Sequence, residues 1–220
     1  MMERRGCPEQ GEHMAYNDFT IAGIKKACGL SVLEAADLFS TVPIVDLPPG
    51  LEATLTHQLP LASMLNTEKA RSELLIAPLL FAIKYRYADR IGIFSGIEFS
   101  VEPAIGLNGR CDYILARNPQ QLELTAPACV LVEAKREDII AGIPQCIAEM
   151  VAAQRFNRAD GIDDPVFGAV ATGVLWRFMR LDGSRVSVDS IEYPIIYPKP
   201  IFSILTAMAL GSVLEVENSR

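Results

Sequence analysis

The sequence predicts a mixed α/β fold, a central sheet flanked by helices, and three observations predict it. Half of the 220 residues are hydrophobic and 21% are charged, which supports a real core and argues against a disordered chain. Apolar residues recur at spacings of three and four over 67–89, 139–157 and 201–214, the helical period, whereas 110–116, 128–135, 165–173 and 176–181 are short β-rich runs. The two kinds of segment are interleaved: helices, a longer helix, three strands, a helix, two or three strands, a helix. That order places a sheet between helical layers. The length suits one domain overall.

The net charge of −7 argues against tight autonomous nucleic-acid binding, though a local basic groove is compatible with it. Five cysteines, an odd number without a CxxC pair, fit reduced, intracellular usage, so a cytoplasmic location is expected. His13 and His57 are the only histidines, which disfavours Ser-His-Asp or Cys-His catalysis and metal centres built on several histidines. The apolar runs at 74–83 and 201–214 fall short of the ~18 to 20 residues a membrane span needs, so no membrane partner is expected. The polar opening at 1–13 has no signal-peptide core and reads as a flexible tail, with Met14 an alternative start. Residues 14–65 read as a helical extension packed on a core that covers 66–220.

Taken in order, Asn17 is placed to cap a short helix over 18–27, with Gly29 as its stop. Ser31 and Glu34 have capping-box spacing, which predicts a second helix reaching about Phe39. The proline-rich 41–51 reads as a surface loop. The alternation in LEATLTHQL favours a strand over 51–61, and His57 within it reads as a surface or structural residue. Asn66 or Thr67 caps the helix over 67–89, with Glu68 in its first turn. Pro78 has no N–H for the carbonyl of Leu74 and predicts a kink. Residues 97–107 read as a strand, with Pro103 at an edge or bulge, and Asn108-Gly109 as the hairpin turn into RCDYILA at 110–116. After a polar loop, ACVLVEAK at 128–135 reads as a central strand buried on both faces. The helix that follows ends near Asn157, with Pro144 marking either its first turn or a kink. Strands at 165–173 and 176–181, the turn signal Asp182-Gly183 and the strand-like SRVSVDSIEY lead to a closing helix over 201–214.

Two of these strands carry charges that a buried sheet should avoid. Strand side chains alternate faces, so Glu133 and Lys135 share a face opposite Val132 and Ala134. On the earlier strand Arg110, Asp112 and Ile114 share a face opposite Cys111, Tyr113 and Leu115. If the strands pair, Asp112, Glu133 and Lys135 meet, a costly cluster unless a cation compensates it. On position alone Glu73 reads as a solvated helix carboxylate; the alternative is that it points at this cluster. With it, three carboxylates and one ammonium carry a formal charge of −2, which one Mg²⁺ balances. A water held by such an ion can attack a phosphorus, the ion stabilises the developing charge, and a lysine two residues from a ligand can hydrogen-bond the nucleophile or the phosphate. The set suits phosphodiester hydrolysis. The competing reading is a structural Asp112–Lys135 salt bridge with Glu133 at a strand end. Gln145 and Glu149, four apart, share a helix face; Gln145 also fits a solvated amide.

The series Gly109-Arg-Cys-Asp112, then Glu133-Ala-Lys135 after an apolar strand, then a helix bearing Gln145, resembles the PD-(D/E)XK nuclease superfamily. It is similar in particular to the nuclease domain of type I restriction enzyme motor subunits. The helix SELLIAPLLFAI with Glu73 resembles the superfamily's first core helix, and the resemblance spans 66–170. It implies a restriction-endonuclease-like αβββαβ core. It implies that Asp112, Glu133 and the carbonyl of Ala134 bind Mg²⁺, with Mn²⁺ as a substitute. Lys135 would orient the attacking water or stabilise the transition state, Glu73 would be an outer or second ligand, and Gln145 would hydrogen-bond near the site. Cys111 stands where the superfamily's name has proline, and Glu149 stands where an aromatic is expected four residues after Gln145. The implied activity is Mg²⁺-dependent hydrolysis of DNA in restriction, defence or repair. The alternatives are a nuclease-fold scaffold or binding module without catalysis, and a phosphohydrolase acting on a nucleotide or RNA. A homodimer or a partner protein is the expected source of added nucleic-acid affinity.

Arg110, Lys135, Arg136, Arg155 and Arg158 are candidates for a phosphate-facing rim, and Lys84 to Tyr87 for charge and stacking. Arg177 and Arg180 lie on opposite strand faces, so at most one faces a given groove. Each also fits a solvated surface, and Trp176 reads as core.

Overall fold

A computed structural model describes residues 14–212. The opening tail, with His13, and the end of the expected closing helix at 213–214 lie outside the described residues. The strands are β1 (Ser31–Ala35), β2 (Gly92–Glu98), β3 (Arg110–Ala116), β4 (Ala128–Ala134), β5 (Val166–Ala171), β6 (Leu175–Asp182), β7 (Arg185–Asp189) and β8 (Tyr193–Pro194). They form one sheet in the order β1-β7-β6-β5-β4-β3-β2, with β8 pairing β6. The pairs β4/β5 and β1/β7 are parallel and the others antiparallel. The mixed α/β class is the one the sequence predicts.

One face of the sheet is covered by α2 (Leu51–Leu65), by a helical run of α3 (Glu68–Arg71), a π-helical turn (Ser72–Ile76) and α4 (Ala77–Arg86), and by α6 (Pro198–Leu210). The other is covered by α1 (Ile21–Cys28) and α5 (Ile139–Ala159). From α4 the order is α-β-β-β-α-β, and α5 is the crossover that parallel β4 and β5 require. All seven residues of β4 are buried, as its apolar run demands.

The position of α5 is set at both ends. Asp138 caps it by accepting from the N–H of Ala141 at 3.1 Å, and Pro144 lies inside the helix. At the far end buried Asn157 accepts from the Ala128 N–H at 2.8 Å and donates to the Ala128 carbonyl at 2.9 Å. Gly142 allows the close approach between, because a Cβ there would lie 2.6 Å from Val170 Cγ1 and 2.9 Å from Lys135 Cγ.

Several local expectations are corrected. Residues 31–35 form a strand, not a helix: β7 offers a free edge, and the ladder against it runs from Ser31 to Ala35. The extension before residue 66 therefore contributes an edge strand as well as helices. Residues 51–65 are helical, not a strand; Leu51, Leu55 and Leu59 recur every four residues, a spacing common to both periods, and packing against the helical layer decides. The strand expected at 97–107 lies at Gly92–Glu98 instead, where Gly92 and Gly96 obscured its pattern. The chain reverses around a short 3₁₀ turn at Pro103–Ile105, not at Asn108-Gly109; the Asn108 carbonyl is taken by the Tyr16 N–H. Thr20, not Asn17, caps α1 by accepting from the Gly23 N–H. The kink expected from Pro78 takes the form of the π-helical turn just before it, in which the Ala77 N–H reaches back to Ser72.

Candidate functional site

The β3–β4 ladder runs from Ala116 to Tyr113 and ends there. Beyond it the N–H of Ala134 is satisfied by a side chain, donating to Asp112 Oδ2 at 2.8 Å. The strands thus part where the charged residues begin, and Asp112 sits in the gap. Tyr113, Leu115, Val132 and Ala134 join the core under α4 and α6, while Ile114 and Leu131 join the core under α5, as strand alternation predicts. Cys111 and Asp112 both depart from their expected faces where the ladder to β4 has ended: Cys111 lies under α5 with Ile114, and Asp112 turns to the side of Tyr113 and Ala134.

Glu133 and Lys135 point to the α5 side. Lys135 Nζ donates to Glu133 Oε1 at 2.6 Å and to Gln145 Oε1 at 2.9 Å. Gln145 Nε2 donates in turn to Glu149 Oε1 at 3.2 Å. Glu133 is 3% exposed and Glu149 fully buried, and each keeps one oxygen, Oε2, without a donor. The two carboxyls lie within hydrogen-bonding reach of each other, as do Glu133 and Asp112, an arrangement satisfied when protons are shared among them.

The electrostatics follow from burial. Desolvation, then the Asp112 carboxylate, push Glu133 up to about 7. Desolvation, then Glu133, hold Glu149 well above the usual carboxylate range. Desolvation also raises Asp112, offset in part by its bond from Ala134 and by Lys135. Burial works against the Lys135 ammonium, yet Glu133 beside it, with Glu68 and Asp112, outweighs that and holds its pKa above the ordinary lysine value. Three carboxyls thus face one ammonium, and the positive charge is too small to ionise them all.

Asp112 also lines a cleft of about 260 Å³ on the opposite side, together with Glu68, Lys69, Ser72, Glu73, Tyr113 and Ala134. The π-helical turn presents Ser72, whose hydroxyl lies 2.7 Å from the Tyr113 hydroxyl. Glu73 is exposed on the cleft wall and paired with Lys69 at 3.2 Å. It shares the cleft with Asp112 and stands apart from the carboxyl cluster. The structure therefore brings Asp112, Glu133, Lys135 and Gln145 together, with Ala134 at their centre, and leaves Glu73 on the rim. Among the described residues no group of three His, Cys, Asp or Glu side chains is arranged to hold a metal ion.

Glu149 is the residue to which sequence reasoning gave no role, although it shares a helix face with Gln145. Its signal was a single carboxylate in the apolar stretch Cys146 to Val151, one turn after Gln145.

The expected basic rim is largely neutralised. Arg110 pairs with Glu98, Arg136 with Glu137, Arg155 with Glu102, Arg158 with Asp163, Arg177 with Glu192 and Arg180 with Asp182. Lys84 donates to the carbonyls of Ala88 and Ile91, and Arg86 to that of Asp46. His57 is exposed on α2 and Trp176 is fully buried. The four cysteines among the described residues are free, and no described helix is long and apolar enough to cross a membrane.

Fold and site define a mixed α/β protein with a buried carboxylate–lysine cluster where two central strands part. No protein-family model, curated protein or solved structure matches the chain.

Proposed function

We propose that this chain is a Mg²⁺-dependent nuclease of the restriction-endonuclease-like class, hydrolysing phosphodiester bonds of DNA. The meeting of Asp112, Glu133, Lys135 and Gln145 at the parted ends of β3 and β4 carries the reading. The donor set fits a hard cation. Two carboxyls touch, one of them has a bare buried oxygen, and Asp112 opens onto a cleft. Mg²⁺ habitually takes one or two carboxylates and fills its other positions with water and substrate phosphate, so a closed cage of protein ligands is not needed. Asp112 and Glu133 would hold the ion, with the carbonyl of Ala134 between them and Glu73 as an outer contact from the cleft wall. When bound, Mg²⁺ supplies the missing positive charge and the Lewis acidity that phosphoryl transfer uses.

The protein's own groups do the rest. An ammonium has three donors. Two of those on Lys135 are committed to Glu133 and Gln145, which leaves one for a phosphate oxygen or an attacking water. Lys135 remains charged, because its pKa is held above the ordinary value. Asp112 and Glu133 sit close enough to exchange a proton as charge develops.

The test is incubation of the full chain with plasmid, single-stranded DNA and RNA, in Mg²⁺, Mn²⁺ or EDTA, beside Asp112→Ala and Lys135→Ala. Metal-dependent cleavage lost in both variants is expected; cleavage unchanged in both overturns the site. Cleavage of RNA alone moves the substrate to RNA. The second reading, a nuclease-fold binding or scaffold module, is favoured by the arginines held by neighbouring acids. No cleavage together with no Mg²⁺ binding by calorimetry selects it.

A further inference from the structure

We infer that Glu149 is a positioning residue: it anchors the Gln145 amide with its oxygen toward Lys135, and through that amide it holds the Lys135 ammonium against Glu133. The inference deepens the nuclease reading and, as a statement about catalysis, rests on it.

The argument starts from what each atom can do. Glu149 turns the proton it keeps toward Glu133, so its Oε1 accepts and does not donate, and an ammonium donates and does not accept. Gln145 stands between the two. With Glu149 Oε1 accepting from its Nε2 at 3.2 Å, the amide must turn its Oε1 to Lys135 Nζ, where the separation is 2.9 Å. Flipped, the amide would set its N–H₂ against the ammonium and its oxygen against the carboxylate, losing both bonds. Lys135 and Glu149 therefore select the same orientation, and Glu149 is the acceptor that holds the amide in it. Lys135 then closes the circuit on Glu133, and Glu133 returns to Glu149 through the contact between their carboxyls.

A second observation separates this from ordinary packing. Cys146, Ile147, Ala148, Met150 and Val151 around Glu149 are all buried. An aliphatic side chain at 149 would fill this core without stranding a polar atom. Instead a carboxyl is fully buried whose Oε2 meets no N–H or hydroxyl, and the proton shared with Glu133 is its relief. Burying such a group is unfavourable unless its interactions are needed.

The test reads the lysine itself. In full-length protein carrying ¹⁵N-labelled lysine, the Lys135 ammonium signal is assigned by its loss in Lys135→Met. Its hydrogen exchange is then measured in cold, slightly acidic buffer. Glu149→Leu fills the core and removes the acceptor behind the amide, so exchange should quicken roughly ten- to a hundredfold, as for loss of one hydrogen bond to a charged group; Glu149→Gln, which mimics the protonated carboxyl, should keep the wild-type rate. The exchanged pair Gln145→Glu with Glu149→Gln keeps an acceptor for Lys135 and a donor behind it, and should hold exchange at the wild-type rate. In cleavage assays Glu149→Leu should lower kcat with little change in KM, whereas Glu149→Gln and the exchanged pair should keep it. Exchange unchanged in Glu149→Leu overturns the inference. So does an exchanged pair that melts like wild type yet leaves the lysine fast. If the wild type cuts no substrate while lysine exchange responds as stated, the nuclease reading fails and the positioning role stands.

Discussion

Replacing Glu133 by Gln tests the electrostatics of the site directly. Burial, then Asp112, raise this carboxyl from its ordinary 4.5 to about 7. Between those values the folded chain keeps a proton that the unfolded chain has released. Stability rises with pH only where the unfolded state binds more protons; here the folded state does. The contribution of Glu133 is therefore fully present below its unfolded pKa and lost as pH rises through its folded one. The span corresponds to on the order of 3 kcal/mol. Gln mimics the protonated carboxyl, cannot ionise and still offers Lys135 an oxygen. Urea unfolding of both proteins at a series of pH values should give similar stabilities near about pH 5. The variant should be the more stable by on the order of 3 kcal/mol near about pH 8. Parallel profiles would refute the claim that an uncompensated carboxyl is buried here.

Three further outcomes follow from the same geometry. Mg²⁺ should raise the melting temperature more near about pH 8 than near about pH 5, since it favours the ionised carboxyls, and Asp112→Asn should abolish the effect in thermal melts. Gly142→Ala places a methyl 2.6 Å from Val170 and 2.9 Å from the Lys135 stem. It should cost about 1–3 kcal/mol in denaturant unfolding and slow cleavage beyond what that loss explains, because the lysine is displaced. Asn157→Ala removes both buried bonds that tie α5 to Ala128; a loss of about 2–4 kcal/mol is expected by urea titration, with cleavage by the folded fraction unchanged.

The site was legible as far as strand alternation reaches. Glu133 and Lys135 could be placed on one face because period two is a property of the strand itself, and Gln145 near them because the next helix begins at Ile139, four residues after Lys135. Glu149 was visible as a helix-face neighbour of Gln145 and as the departure from an expected aromatic. Its role depends on Glu133, sixteen positions away in sequence and in contact across α5 and β4. Glu73 carried the right charge on the right helix, yet the π-helical turn leaves it on the cleft wall with Lys69.

The amino-acid sequence by itself determined the mixed α/β class, the strands at β3, β4 and β5, the helix α5 and the charges at the end of β4. These depend on local period and composition, which no partner can change. Tertiary structure decided whether 31–35 became a strand, because the free edge of β7 outweighed a capping pattern. It made 51–65 a helix, because a four-residue spacing is ambiguous until a surface receives it. It also paired Arg155 with Glu102, distant in sequence, and turned Asp112 onto the Ala134 N–H where the ladder stops. Which charge meets which is a property of the assembled sheet, since only folding brings those elements within reach of one another.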